Sequence, residues 1–198
     1  LNIEDVVLNP ASERPKQLLK AIFERQTELL HKYHPIEAKN GLLQTDAHPL
    51  DLHCRFSQAR IKDMAYRAVE ELVESVDAGD HIEHRQEELV DALHFIVELA
   101  ICVDFTPRTL DEYYAAESDC NHVYGIIHHL GMMTHKCRNK PWKQTHQLTD
   151  IPRFYACLDQ AFIAFFGLMK HEGLSPGGVY DLYFRKAAVN SFRQISKY

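Results

Sequence analysis

Apolar residues recur at spacings of three and four along most of this chain, and no run alternates as a half-buried strand does, so the pattern predicts an all-α protein. A first helix is predicted from about Ser12 to Tyr33, carrying Leu18, Leu19, Ile22, Phe23, Leu29 and Leu30 on one side. It is expected to break before Pro35, whose ring disfavours helical backbone in the preceding residue. Residues 35–53 then read as a polar loop. A second helix runs from about Phe56 to Asp77, with Met64, Ala65, Ala68, Leu72 and Val76 as its apolar side, and Ala78-Gly79-Asp80 ends it. The third spans about Ile82 to Phe105.

Beyond Pro107, Leu110 to Leu130 reads as helical but polar, and Met132 to Thr149 as irregular and basic. The stretch 106–150 therefore has the character of an inserted mobile segment within a single domain covering 1–198. Asp150 and Pro152 open a further helix from about Arg153 to His171, whose face of Phe162, Phe165, Phe166 and Met169 must be buried. Its aromatic surface exceeds what a small bundle needs to cover, which points to a homodimer. Ser175-Pro176 starts the last helix, with Tyr180, Tyr183, Phe184, Val189 and Phe192. A bundle of five or six helices is expected.

The chemistry sits beside the second turn. Glu71-Leu72-Val73-Glu74 and Glu88-Leu89-Val90-Asp91 each place two carboxylates at i, i+3, hence on one helix face. Their centres fall about 8 residues before the bend and about 9 after it, which at ~1.5 Å per residue brings both pairs to nearly the same height in an antiparallel hairpin. Four carboxylates converging there repel, and they need compensating cations. Oxygen ligands select a hard divalent ion, Mg²⁺ or Mn²⁺, and Mg²⁺ commonly binds substrate phosphates as well. Asp91-x-x-His94 with Glu71 and Glu74 also reads as half of a di-iron carboxylate site, though no good second half is present. A third reading is a helical interaction module without chemistry.

Charge and composition narrow the classes. Lys+Arg 22 against Asp+Glu 28 gives a net charge of −6, with no basic stripe, so no nucleic acid polymer is expected as a partner. The most apolar stretch, Ala161 to Met169, is far shorter than the ~20 residues of a membrane span. The opening LNIEDVV lacks a signal-peptide pattern, and the 5 cysteines include no C-x-x-C pair, so a reduced cytoplasmic compartment is expected. The histidines at 122, 128, 129 and 135 match no zinc spacing. Local cations remain for an anionic substrate. Lys186 and Arg193 lie seven apart on one face of the last helix, with Asn190 between them. The loop carrying Lys136, Arg138, Lys140 and Lys143 around Pro141-Trp142 has the character of a lid closing over a nucleotide.

The paired E-x-x-E and E-x-x-D resemble the signature of the all-α nucleoside triphosphate pyrophosphatases, the MazG-like superfamily. Glu87 to Phe95, EELVDALHF, resembles the third motif of the dimeric dUTPases and of the related phage dCTP pyrophosphatases. Leu182 to Tyr198 resembles their closing motif, and Gln26 in FERQTELL their first. The resemblance implies a dimeric dUTPase-like helical bundle with its active site between antiparallel helices. It implies hydrolysis of dUTP to dUMP and pyrophosphate, with dCTP as the alternative substrate and attack at the β phosphorus. Glu71, Glu74, Glu88 and Asp91 would hold two or more Mg²⁺, and Glu71 or Glu74 would activate the water. Gln26, His94, Phe95, Tyr183, Lys186, Asn190 and Arg193 would contact substrate, joined by Arg138 and Lys143. Two departures touch the base pocket: VESVDAGDHI stands where relatives often carry a tryptophan, and Leu29-Leu30 where they often carry Asn or Asp.

Overall fold

A computed structural model describes residues 14–41, 48–118, 122–140 and 142–196. These form seven helices: α1 (Leu18–Lys39), α2 (Arg55–Asp77), α3 (Ile82–Cys102), α4 (Leu110–Ala115), α5 (Val123–Lys136), α6 (Ile151–His171) and α7 (Pro176–Ser196). No strand occurs among the described residues. Ser12, Cys120, Pro141 and Tyr198 lie outside them.

α2 and α3 form a closely packed hairpin, α1 and α7 lie together against α3, and α5 pairs with α6 while touching α2. Gly79 turns the hairpin in the left-handed region, at φ 57°, where a side chain would be strained. α3 is the central element. Its run LVDALHFIVELA is buried on nearly every side because α1, α2, α6 and α7 all pack on it.

The predicted break at Pro35 does not occur, and α1 continues to Lys39 with Pro35 inside it. The ring removes one N–H from the ladder, a loss tertiary contacts can offset. Those contacts are ionic: Glu37, in the last turn, pairs with Arg60 at 2.6 Å and Arg67 at 3.2 Å on α2. The single polar helix predicted over 110–130 is instead α4, started by a Thr109–Glu112 capping box, followed by α5, which reaches Lys136. The aromatic face of α6 is also accounted for differently. Phe162, Phe165, Phe166 and Met169 are fully buried within this chain, Phe162 stacking with Phe105 and Tyr113. That face is core, and it carries no argument for a dimer.

Candidate active site

The hairpin does bring carboxylates together. Leu72, Leu89, Val90 and Ala92 are buried in the core, and they turn the intervening acids towards one face. Glu71, Glu88 and Asp91 each place an oxygen within 4.8 Å of the others. Glu74 is exposed and stands outside this triad, although its charge reaches Glu71. Burial, reinforced by the charges of Asp91, Glu74 and Glu88, pushes Glu71 up to about 7. Burial also raises Asp91, against the pull of Lys186 and then Arg193. Lys186 Nζ lies 2.6 Å from Asp91, and His84 Nδ1 lies 3.2 Å from Glu88.

The donor set fits a hard divalent cation. Among the described residues the group that could hold an ion is three carboxylates, with the His84 imidazole against Glu88 but outside that group, so the ligands are oxygens alone. The di-iron reading is not supported, because the imidazole of His94 turns away from the triad to Gln26. Nor does any histidine of the 122–135 stretch belong to a metal-competent cluster among the described residues.

Beside the triad a cleft of about 270 Å³ opens between α1, α2, α3 and α7. Seven of the site residues expected from the sequence line it: Gln26, Glu71, Asp91, His94, Phe95, Asn190 and Arg193. Lys186 stands at a neighbouring groove that shares Arg193. Tyr183 is fully buried and does not reach the cleft; its hydroxyl donates to Gln26 Oε1 at 2.6 Å and its ring stacks on His94. Leu29, one of the two departures, lines the cleft and presents hydrocarbon there.

Sequence reasoning missed Glu37, Arg67 and Glu98, which also line the cleft. Behind them Arg60 bonds Glu37 at 2.6 Å and Glu98 at 3.4 Å, and Arg67 sits over the Phe95 ring. Glu98 interrupts an otherwise apolar run, FIVELAIC, and that interruption is the one signal that was present.

Arg138 and Lys143 are not brought to the cleft. Their loop folds onto the start of α2: Arg55 donates to the Lys143 carbonyl, and buried Asn139 bonds Gln58 and the His53 carbonyl. Residues 55–58 precede Glu71 by about four turns of helix, ~20–24 Å. The loop lines a separate groove with Arg55, Lys62 and His135 instead.

The crowding of acids gives a pH dependence whose sign follows from linkage. Glu71 and Glu98 both titrate near 7 in the folded chain, above the ordinary 4.5, so between these values the folded state holds more protons than the unfolded one. Stability from these groups is full below about pH 4.5 and is lost as pH rises through about 7. With a chelator present, the melting temperature of Glu71→Gln is expected to fall less between pH 5.5 and 8 than that of the wild type. At pH 8, Mg²⁺ is expected to raise the melting temperature of the wild type alone. Equal pH profiles for the two proteins would contradict the crowding.

No helix among the described residues is long and apolar enough to cross a membrane. No curated protein and no solved structure matches the chain. A protein-family model described as dUTPase matches residues 75–198, which hold Glu88, Asp91, His94, Phe95, Lys186, Asn190 and Arg193. The match covers most of the chain, ending on the helix that brings Lys186 to Asp91, and on that ground the chain belongs to the dUTPase family of hydrolases.

Proposed function

We propose that this protein is a cytoplasmic, Mg²⁺-dependent pyrophosphohydrolase that converts dUTP to dUMP and pyrophosphate. The carrying observation is the oxygen-only triad of Glu71, Glu88 and Asp91 at the mouth of a cleft, with Lys186 bonded to its edge. Those three residues, with Glu74 approaching from outside, would hold two or more Mg²⁺. Bound there, Mg²⁺ supplies positive charge to phosphate oxygens and acidifies water. Asp91 is engaged by Lys186 and Glu88 by His84, whereas Glu71 faces the cleft with no ion pair among the described residues. Glu71 is therefore placed to take the proton of the attacking water. Lys186 and Arg193 receive the leaving pyrophosphate, Arg193 by a forked contact. Phe95, half-buried at the cleft, offers a stacking face to the base, and Gln26, His94 and Asn190 offer polar atoms to the nucleoside.

Assay of dUTP, dCTP, dTTP and purine triphosphates with Mg²⁺ and product chromatography tests this reading. The expected result is dUTP as best substrate, with dUMP and pyrophosphate as products. A dCTP preference would move the protein to the alternative activity, and release of orthophosphate would overturn the reaction.

The protein acts as a homodimer in this reading, with α2 as the face. Tyr66, Val69, Val73 and Val76 follow a three–four spacing, and Tyr66, Val73 and Val76 are 63%, 47% and 58% exposed. Sedimentation is expected to give twice the 22.9 kDa chain mass, and Val73→Glu to give the chain mass. A wild-type monomer at all concentrations would refute it.

A further inference from the structure

The groove between α2, α5 and the loop that follows α5 measures about 580 Å³, more than twice the cleft beside the triad. Arg55 and Lys62 of α2, Gly131 and His135 of α5, and Lys140 and Trp142 of the loop line it. No carboxylate lines it, and none of its three cations forms an ion pair among the described residues. In a chain of net charge −6 this concavity is a local inversion of sign. Lys62 is half-buried, and burial holds its ammonium below the ordinary lysine value, with the charge of Lys140 adding to the effect and Cys137 opposing it. An anion bound there relieves the repulsion between the two ammonium groups. The groove is also held open. Its loop is pinned by Asn139, 1% exposed, whose backbone N–H donates to Gln58 Oε1 and whose side chain donates to the His53 carbonyl and accepts from the Gln147 N–H. On the facing wall Gly131 stands inside α5, where a Cβ would meet nothing within 4 Å. Glycine there weakens the helix and no close contact demands it, so its missing side chain leaves room in the groove. Trp142, 76% exposed, presents its indole at the rim, with Lys140 Nζ 5.5 Å from the ring centroid.

We propose that this groove is a second ligand site, which binds a nucleoside polyphosphate with its phosphates among Arg55, Lys62 and Lys140 and its base stacked on Trp142. Three cations in a cavity of the size usual for small-molecule sites match a phosphorylated compound of nucleotide dimensions. The indole adds a stacking surface that inorganic phosphate does not use, and it tolerates any base because every base has a π-face. A nucleic acid strand is the poorer match, since a net charge of −6 with no basic stripe repels a long polyanion beyond the groove. The site is separate from the acidic cleft. Lys62 precedes Glu71 by nine residues on α2, about two and a half turns at ~3.6 residues per turn, so the two side chains leave opposite faces of the helix. What the groove binds is therefore independent of what the cleft hydrolyses. Lys62 also stands one turn before Tyr66 on the stripe proposed to meet a second copy, which puts the groove at the end of that face.

The test is titration of the protein with ATP in EDTA, which keeps the acidic triad free of metal, read by the fluorescence of Trp142, the sole tryptophan, and by equilibrium dialysis. The expected result is a saturable change in fluorescence with one ATP retained per chain, weakened by added salt. CTP should bind about as tightly as ATP, and inorganic pyrophosphate, which has no base to stack, at least tenfold more weakly. Lys62→Gln should weaken ATP binding at least tenfold. Gly131→Leu, which fills the groove with hydrocarbon and keeps every cation, should abolish it, whereas Asp91→Asn should bind as the wild type does. Absence of saturable binding, as when a second copy covers the groove, overturns the proposal. So does unchanged affinity in Lys62→Gln, which decides the matter alone if the leucine variant does not fold. Loss of binding in Asp91→Asn would put the nucleotide in the cleft and overturn it too. Pyrophosphate binding as tightly as ATP, or a single-stranded oligonucleotide binding more tightly, would likewise overturn the nucleotide as the ligand.

Discussion

Replacing Asp91 by asparagine is expected to lower turnover of dUTP by more than ~100-fold, beyond the loss usual for groups that merely support a metal ligand. Asparagine keeps the size and most of the shape of the side chain, so the helical fold should survive, as circular dichroism would show. What it removes is charge at a crowded point. Asp91 belongs to the oxygen triad and is the partner of Lys186 at 2.6 Å. The substitution thus weakens the divalent site and also leaves the ammonium of Lys186 without its anchor. It relieves Glu71, one of whose neighbouring negative charges is Asp91, and Glu71 should titrate lower. The metal-free variant should therefore be no less stable than the wild type, and its melting temperature should no longer respond to Mg²⁺. Glu74→Gln provides the comparison: exposed and outside the triad, it should lose less activity. Near wild-type turnover by Asp91→Asn would remove the triad from the chemistry.

The second large effect concerns stability. Arg60 is 10% exposed and bonds two carboxylates that are themselves about as buried, Glu37 and Glu98. Removing one partner of such a network leaves charge uncompensated in a poorly solvated place, at a typical cost of ~3–5 kcal/mol. For a chain of this length each kcal/mol moves the melting temperature by ~2–4 °C, so Arg60→Ala should melt ~6–20 °C below the wild type. Two relieving routes limit the loss: Arg67 still reaches Glu37, and Glu98 can take up a proton near neutrality. The drop should consequently be smaller at pH 6 than at pH 8. A loss under ~1 kcal/mol, the range of exposed pairs, would mean that water reaches this network freely.

What the sequence disclosed follows from which interactions are local. The α2–α3 hairpin was legible because periodicity, a glycine turn and two i, i+3 acid pairs all lie within one stretch of chain. The Lys186 and Arg193 face was legible for the same reason, as a spacing on one helix. Glu37 was not, because Pro35 reads as a stop and only the ion pairs to α2 show why the helix continues. Arg67 looks like a member of an ordinary charged face, and Glu98 like a lone break in an apolar run, until the fold shows which helix covers them. The placement of the basic loop was not legible for a related reason. Its charges are visible in sequence, but the anchoring of Asn139 to Gln58 and His53, which holds it far from the acids, is not.

The division of the site between a hairpin and a distant helix has a consequence for how the chain is made. During synthesis, segments fold in the order in which they emerge, and contacts close in sequence form fastest. Glu71, Glu88 and Asp91 belong to one hairpin, so the acids can meet as soon as α3 is out. The cation that answers them, Lys186, lies on α7 and arrives last. In the interval Asp91 lacks its ammonium partner, and the hairpin's own answer to the acids is His84 against Glu88. A divalent ion would then offer the counter-charge, so the order of synthesis itself would favour a hairpin loaded before the last helix closes over it.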